Sequence, residues 1–387
     1  MKQKIIKKKK ISIKSLISFF ILFGFIMQSG GGLLRTGALG LLIVSLFICS
    51  SFNATRFSKK TLFFYLYIVQ SITISAVSAA FQDVGLGSII AFNFSMYLFF
   101  ILYLGSIKGL ITIDGYLRAS VLFSFVIILI GVATFLKIPY IEELKPKLIE
   151  IFNGIWGAKA FGPIILWIVY FQGTLALIPT CIYCLYIKNN IYFFICFFGL
   201  LFSGSRFGIL VILLFYLFFN IRKLLKVFFV FGIFFLIGMI TNNPIINSLL
   251  SMFNDSDGGV SIRMGHLIGI MELLEKNPYY LIVGQGPGSV FYSYGFNNFI
   301  DTCEISQFDF LRKYGLPFTT IVYLSIFVFA FLLIKNTDKK GKAIGWGIVA
   351  HFFVAISNPV LTSLPFMSFL AISCSYYYTY RKNKRGK

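Results

Sequence analysis

The sequence predicts an all-α integral membrane protein with about twelve transmembrane helices and one large external loop between helices 9 and 10. Two features of its composition support this fold class: 58% of the 387 residues are hydrophobic, and only 12% are charged. Soluble domains average about a quarter charged residues. Apolar runs long enough to cross a bilayer also recur from one end of the chain to the other. We therefore expect one polytopic membrane domain over residues 1–387.

The apolar runs define the predicted helices, which short polar or basic segments separate. Two connections exceed hairpin length. Residues 137–160 alternate charged and apolar residues, as an amphipathic interfacial segment does, and residues 242–315 form the large loop. Chemistry outside the lipid is expected in the large loop and on the helix ends that face it. The predicted helices cover residues 15–29, 32–52, 61–81, 88–106, 119–136, 161–187, 190–203, 207–219, 226–241, 316–334, 342–358 and 360–379.

The net charge of +22 has two explanations, nucleic-acid binding and the positive-inside bias of membrane proteins. The positions of the lysines and arginines favour the second. With a cytoplasmic N-terminus, nearly all of the excess charge falls on cytoplasmic segments such as residues 1–10 and 381–387. We therefore expect both termini in the cytoplasm and no nucleic acid as a partner. Residues 1–10 and the apolar run after them are read as a signal anchor, because no clear cleavage pattern follows.

The cysteines predict no disulfide framework, because only Cys303 of the six falls in an exported loop. Cys181 and Cys184 lie inside a predicted helix, where small buried residues are the better interpretation. The NDSDGG segment at 254–259 lacks the downstream glutamate of a calcium loop, and GQGPG at 284–288 lacks the strand and helix of a dinucleotide site. No metal and no cofactor are expected.

Arg206 interrupts an otherwise apolar stretch, LLFSGSRFGILV at residues 201–212. One continuous helix over residues 190–219 would bury its guanidinium near mid-bilayer, at a cost of at least about 2.5–3.5 kcal/mol. It would also turn every later basic segment outward, against the positive-inside rule. Two shorter helices joined by a turn at Gly204 avoid both problems and bring Arg206 to the outer membrane face. There it either binds a phosphate or extends to lipid headgroups.

The large loop contains a predicted helix over residues 261–276, SIRMGHLIGIMELLEK, with apolar residues at helical spacing. Arg263 and His266 are three residues apart and share one face of it. Arg312 and Lys313 fall on the same side of the membrane by the same topology. Several outward-facing cations suit an anionic lipid-linked substrate, because a guanidinium binds phosphate oxygens in a bidentate fork.

Three segments carry a family resemblance: SGSRFGILV (203–211), SIRMGHLIGIMELLEKNPYYLIVGQGPGSVF (261–291) and EISQFDFLRKYGLPF (304–318). In order and spacing they resemble the O-antigen polymerase and ligase family of bacterial envelope glycosyltransferases. The family pattern is a Ser-x-Ser-Arg segment that opens a helix, an arginine beginning the large external loop, a Gly-x-Gly-x-Gly turn, and a polar stretch ending before the next helix. The resemblance covers roughly the C-terminal half of the chain.

The resemblance implies a multi-helix enzyme of the bacterial inner membrane that uses polyprenyl-diphosphate-linked sugars, needs no metal and faces the periplasm with its active site. Carried over by position, Arg206 and Arg263 would bind the diphosphate and stabilise its departure. Transfer also requires a base for the acceptor hydroxyl. Glu304 is the first candidate, with Asp309 and His266 behind it, although a solvated loop carboxylate explains Glu304 equally well.

Further substrate contacts are expected from three segments: the glycine turn (284–288), the polar run (296–311) and the loop helix (261–276). His266 has two other interpretations, a base or a packed helix residue, and the glycine turn has another, a tight loop fold. The residues expected to contact substrate are His266, Gly286, Gly288, Asp309 and Arg312.

The polar run separates the two activities of the family. Ligases usually carry a histidine after the glycine turn, and residues 296–311 contain none. This favours a repeat-unit polymerase, which transfers a growing glycan from undecaprenyl diphosphate to the non-reducing end of a new lipid-linked repeat unit. The alternatives are an O-antigen ligase, whose acceptor is lipid A–core, and a polysaccharide flippase or transporter. Transport is disfavoured because no internal repeat is found and the informative charges gather on one face.

The expected partners follow from the polymerase interpretation. They are an undecaprenyl-diphosphate-linked oligosaccharide, membrane lipid and a chain-length regulator protein.

Overall fold

The structure, a computed structural model, describes residues 12–28, 32–50, 59–152, 154–161, 164–220, 258–358 and 361–385. Within these ranges it is mainly helical, with two antiparallel hairpins and a 3₁₀ turn at Gln172–Ala176. The predicted helix 226–241 and the first part of the large loop lie outside the described residues. The helices are α1 (Ile13–Met27), α2 (Leu33–Ser50), α3 (Lys59–Ala80), α4 (Leu86–Ile107), α5 (Ile113–Phe135), α6 (Pro139–Phe152), α7 (Leu177–Ile187), α8 (Asn190–Phe202), α9 (Arg206–Phe219), α10 (Gly258–Lys276), α11 (Tyr280–Val283), α12 (Ser306–Tyr314), α13 (Leu316–Asn336), α14 (Lys339–Val354) and α15 (Leu364–Arg385).

Three of the described helices, α4, α5 and α13, are long and apolar enough to cross a membrane. Six shorter apolar segments accompany them, at Ile13–Met27, Leu33–Cys49, Tyr65–Ala80, Gly173–Ile187, Asn190–Phe202 and Arg206–Phe219. Large apolar side chains also point away from the protein interior, among them Phe47 in α2 and Phe331 in α13, which are 73% and 58% exposed. These features indicate a membrane protein. The predicted spans 342–358 and 360–379 form α14 and α15, and the full number of twelve spans stays a prediction.

The predicted helix 161–187 is wrong in its first part. Residues 154–171 form a hairpin of β1 (Gly154–Phe161) and β2 (Ile164–Phe171), in which Gly154 pairs with Phe171. The β2 sequence, IILWIVYF, consists of β-branched, aromatic and leucine residues, which favour a strand when a neighbouring segment can pair with it. The expected amphipathic segment 137–160 is likewise divided: α6 covers Pro139–Phe152, and the remainder enters β1.

Contacts between helix termini define one end of the bundle, which we call the basic end. Lys108, Arg118 and Lys339 each donate a hydrogen bond between helices there, to α2, α1 and α7 respectively. Lys188 caps α7 at the same end. Since α1 and α5 begin at this end and α15 finishes at it, the described parts of both termini lie there.

The opposite end, which we call the loop end, carries residues 258–315 of the predicted external loop, and we call them the external segment. Gly286 in this segment packs against Ala79 near the end of α3. Ser95, near the middle of α4, donates to the carbonyl of Thr362 just before α15. Since Lys108 directly follows α4, Ser95 and Lys108 are separated by about 20 Å of an apolar helix.

The external segment has a small hydrophobic core of its own. Ile270 and Leu274 on α10 pack with Phe291, Cys303 and Ile305 beneath the second hairpin, β3 (Phe291–Ser293) and β4 (Asn298–Ile300). The predicted loop helix 261–276 is confirmed, with its first turn beginning at Gly258. A separate core of this kind fixes the side chains of the external segment relative to one another.

Candidate active site

The turn that carries Arg206 is confirmed as a break between two helices. Gly204 adopts a φ of +67°, a conformation that glycine reaches without strain, and α9 begins at Arg206. The chain then returns along α7, because Gly208 lies beside Ile178 near the start of α7 and Phe219 packs on Tyr186 near its end. Arg206 therefore stands at the loop end, on the first residue of a helix whose N-terminus is itself electropositive.

Arg263 on α10 forms an ion pair with Glu304. Its Nε lies 3.2 Å from a Glu304 carboxylate oxygen, and each side chain is 37% exposed. The Nε–H does not point along a hydrogen-bond direction, so the contact is electrostatic without being an aligned hydrogen bond. A half-exposed pair of this kind contributes little to stability, about 0–1 kcal/mol, and leaves both groups within reach of a ligand.

His266 is buried in the external segment. Its Nδ1 lies 2.7 Å from the Ser293 hydroxyl, and its ring packs edge-on against Phe291 and Phe296. Burial lowers the pKa of the imidazole below its ordinary 6.5; the Glu304 carboxylate opposes this shift and Arg263 adds to it. These contacts match the packed-residue interpretation of His266, and its expected contact with substrate stays a prediction.

Asp309, Arg312 and Lys313 form a buried charge network on α12. The Asp309 carboxylate accepts from Arg312 Nη2 at 2.9 Å and from Lys313 Nζ at 2.6 Å. Desolvation alone would raise the pKa of the Asp309 carboxyl, but the Lys313 and Arg312 charges outweigh it and the net pKa is lowered. Desolvation lowers the pKa of the Lys313 amine, against the attraction of Asp309. The carboxylate is therefore ionised and holds two cations.

The Arg312 guanidinium is fully buried and its described contacts are internal. Nη1 donates to Gln285 Oε1 at 2.6 Å and to the Ser289 carbonyl at 2.9 Å, and Nη2 donates to the Asp301 carbonyl at 2.8 Å. The Phe291 ring lies under the group, 4.7 Å away. Arg312 thus joins α12 to the glycine turn and to the end of the second hairpin. Its expected contact with substrate is a prediction that this burial does not favour.

The glycine turn packs against α3 and the start of α4. Gly286 has a φ of +105°, and an added Cβ would lie 2.5 Å from the Cβ of Ala79. Gly288 has a φ of +84°, and its added Cβ would lie 2.9 Å from Val84. Backbone of the turn also accepts hydrogen bonds from Ser75, Ser78 and Gln82. The geometry matches a tight loop fold, the second of the two expected roles.

A polar cavity of about 320 Å³ opens at the loop end. Three charged side chains, Arg35, Asp309 and Lys313, stand on its wall. Hydroxyl groups complete much of the polar lining, from Ser95, Tyr170, Thr302, Ser306, Thr362 and Ser363. Pockets that hold small ligands have volumes of about 300–1,000 Å³.

Arg35 is the residue of this cavity that the sequence interpretation missed. It lies in the first turn of α2, and its guanidinium carbon is 4.8 Å from the centre of the Phe94 ring. The available signal was the one used for Arg206: a single arginine at the start of an apolar helix whose predicted direction places that start outside. The same topology argument therefore predicts Arg35 and Arg206 on the same side of the membrane.

Strand β2 connects the cavity with the two predicted arginines. Tyr170 lines the cavity and lies in the electrostatic field of Glu304, the partner of Arg263. Ile168, two residues earlier on the same face of the strand, packs against Gly204 in the turn before Arg206. The turn before Arg206 and the Arg263–Glu304 pair are therefore both neighbours of strand β2 at the loop end.

The described residues hold no cluster of three or more histidine, cysteine or carboxylate side chains suited to a metal ion. The site therefore consists of cations, two carboxylates and hydroxyl groups, a set that can bind a phosphate and accept a proton. No protein-family model matches the chain, and no curated protein matches it.

Proposed function

We propose that the chain is a repeat-unit polymerase of bacterial surface polysaccharide. It transfers a growing glycan from undecaprenyl diphosphate to the non-reducing-end sugar of a new lipid-linked repeat unit. The observation that carries the proposal is the gathering of Arg206, the Arg263–Glu304 pair and a polar cavity at one end of an apolar helical bundle. A site at the end of such a bundle suits two substrates that are both anchored in the lipid.

The charges at this end support the chemistry of glycosyl transfer. The bond between the anomeric carbon and the phosphate oxygen breaks, and the diphosphate leaves with the bonding electron pair. Arg206 and Arg263 stabilise the negative charge that builds on it, and the N-terminus of α9 adds to the effect of Arg206. Preorganised groups of this kind are usually the largest single contribution to catalysis.

Glu304 is the proposed base for the acceptor hydroxyl. Its carboxylate is paired with Arg263 at 3.2 Å. A diphosphate that binds Arg263 competes with this contact and releases the carboxylate to take the proton while the acceptor oxygen forms its bond to the anomeric carbon. Glu304 therefore becomes available as a base only when the donor diphosphate is bound, which couples proton transfer to donor binding.

The proposal includes the orientation of the protein in the membrane. The basic end faces the cytoplasm and the loop end faces the periplasm, because short cytoplasmic segments of membrane proteins concentrate lysine and arginine. Lys108, Arg118, Lys188 and Lys339 at the basic end support this orientation. The enzyme is then an inner-membrane protein with both termini in the cytoplasm.

A gene deletion in the source bacterium tests the function. Wild-type protein should restore a polysaccharide ladder on a gel, whereas Arg206→Ala should leave a single repeat unit attached. Arg118→Ala, an exposed arginine at the basic end, is the matched control and should restore the full ladder. Immunoblots of the membrane fraction compare protein levels. If the deletion removes all attached polymer, including the single unit, the chain is a ligase or a flippase and the proposal is wrong.

A further inference from the structure

The loop-end cavity contains a pair of cations that the proposed mechanism does not use. Arg35 approaches it from α2 and Lys313 from α12, and neither is among the residues of the Ser-x-Ser-Arg turn or the loop helix. Arg206 and Arg263 are not among the residues that line the cavity. The cavity is therefore a second place at the loop end where cations face an open volume.

The charged groups at the cavity carry an excess of positive charge. Arg35, Lys313 and Asp309 on the wall sum to one positive charge, and the buried Arg312, which shares Asp309 from behind the wall, adds a second. A diester of diphosphoric acid, the linkage between a polyprenol and a sugar, carries two negative charges and would balance this total. Desolvation lowers the pKa of Lys313, so an anion at this position would relieve an unfavourable environment.

Groups other than the cations also favour an anion. The cavity is lined by Ser306, the first residue of α12, and by Ser363 and Leu364, where α15 begins. Helix N-termini carry a partial positive charge and stabilise phosphates. The Thr302, Ser306 and Thr362 side chains supply hydroxyl groups, which hydrogen-bond phosphate and sugar oxygens.

The flank beside the cavity is apolar and exposed. Leu33 and Leu34 precede Arg35 on α2 and are 89% and 47% exposed, and Leu86 and Ile90 are exposed at the start of α4. An apolar surface next to a polar cavity suits a ligand with a hydrocarbon tail and a charged head. The lipid-linked form of phosphate therefore fits better than free phosphate.

We propose that the loop-end cavity is a phosphate subsite in which Arg35 and Lys313 bind the diphosphate of a lipid-linked glycan. The identity of the glycan rests on the proposed function, but the subsite itself does not. Arg35 approaches the phosphate oxygens directly, and Lys313 does so while Asp309 holds it in place.

Binding of undecaprenyl diphosphate tests the subsite. The protein is reconstituted in nanodiscs of phosphatidylcholine with Arg206→Gln and Arg263→Gln already present, so that the remaining affinity reports the cavity. Adding Arg35→Gln should weaken binding by about tenfold or more, because a charge-assisted contact to phosphate is lost. Adding Arg118→Gln instead should leave the affinity unchanged, and Arg35→Lys should recover part of it. Thermal unfolding shows that each variant is folded.

Each outcome decides between the two proposals separately. Equal affinity with and without Arg35→Gln overturns the subsite and leaves the polymerase proposal standing. Loss of affinity in Arg35→Gln, in a protein whose gene deletion leaves the polysaccharide ladder intact, supports the subsite and overturns the polymerase. Inorganic diphosphate and phosphatidylglycerol nanodiscs identify the source of the phosphate. Tighter Arg35-dependent binding of either one than of undecaprenyl diphosphate would overturn the lipid-linked glycan as the ligand.

Discussion

Two arginine–carboxylate pairs at the loop end differ in burial and therefore in what they can do. Arg263 and Glu304 are each 37% exposed and meet through one contact at 3.2 Å. Arg312 is fully buried, and it binds Asp309 together with the Gln285 side chain and two backbone carbonyls. The first pair can exchange its partner for a ligand at little cost. The second holds α12 to the glycine turn, so a ligand would have to break several hydrogen bonds to use it.

The comparison teaches that a cation near a site binds a ligand only through donors that its protein partners leave available. A buried guanidinium whose partner is removed leaves an uncompensated charge, whereas an exposed one is solvated by water. The sequence places Arg312 in the same polar run as Glu304 and gives no sign of this difference. Apart from Asp309, the partners of Arg312 come from residues 11 to 27 positions away in the chain.

Removing Arg312 should have the largest effect. Arg312→Ala leaves the Gln285 amide, the Asp301 carbonyl and part of the Asp309 charge without their partner, and should cost about 3–5 kcal/mol of unfolding free energy. Thermal unfolding of the detergent-solubilised protein measures this loss, together with the yield in membranes. A melting temperature equal to that of the wild type would show that the network is not structural, and the contrast with Arg263 would disappear.

Arg263→Ala should have a large effect on activity and only a small effect on stability. Loss of one preorganised donor to the diphosphate lowers the transfer rate by about 10²–10³. Loss of a half-exposed ion pair costs less than about 1 kcal/mol. Polymer synthesis from lipid-linked repeat units is the measurement, with Lys276→Ala as the control on the same helix, because Lys276 forms an exposed pair with Glu272. Full activity of Arg263→Ala would exclude this arginine from the site.

His266 gives a smaller, pH-dependent effect that separates packing from catalysis. Its pKa in the folded protein is below the ordinary 6.5, so the unfolded chain binds the proton more readily. Stability from this group is present above about pH 6.5 and is lost as the pH falls below it. Melting temperatures at about pH 7.5 and 5.5 should therefore differ more for the wild type than for His266→Gln. Asp309 loses its contribution only below about its ordinary pKa of 3.8, outside this range.

Most of the helical architecture could be predicted from the sequence, because hydrophobic run length is a strong signal in membrane proteins. Helices α8 and α9 begin and end within one residue of their predicted bounds, and the turn at Gly204 has the expected conformation. The hairpin at residues 154–171 could not be predicted from run length, since a continuous apolar segment fits either a strand or a buried helix. Its strand-favouring residues were the available signal.

The candidate site could be predicted only in part. Sidedness follows from the alternation of spans, which is why Arg206, Arg263 and Glu304 are expected at one end of the molecule, and their shared site stays a prediction. Tertiary contacts decide the rest. Arg35, some 278 positions before Lys313 in the chain, shares a cavity with it because α2 and α12 both border this cavity. Hydrophobic patterns contain no information about which helices border a common cavity.

The contacts that hold the glycine turn against α3 restrict how a large substrate could enter or leave the loop end. Ser75 and Ser78 on α3 and Gln82 in the turn after it hold the backbone of residues 283–285, and the close fit of Gly286 against Ala79 leaves no room for sliding. A hinge movement that lifted the glycine turn away from α3 would break all of these contacts at once. In the proposed polymerase, a bulky chain of sugars would therefore pass sideways, along the membrane surface, while the glycine turn keeps its position from one round of synthesis to the next.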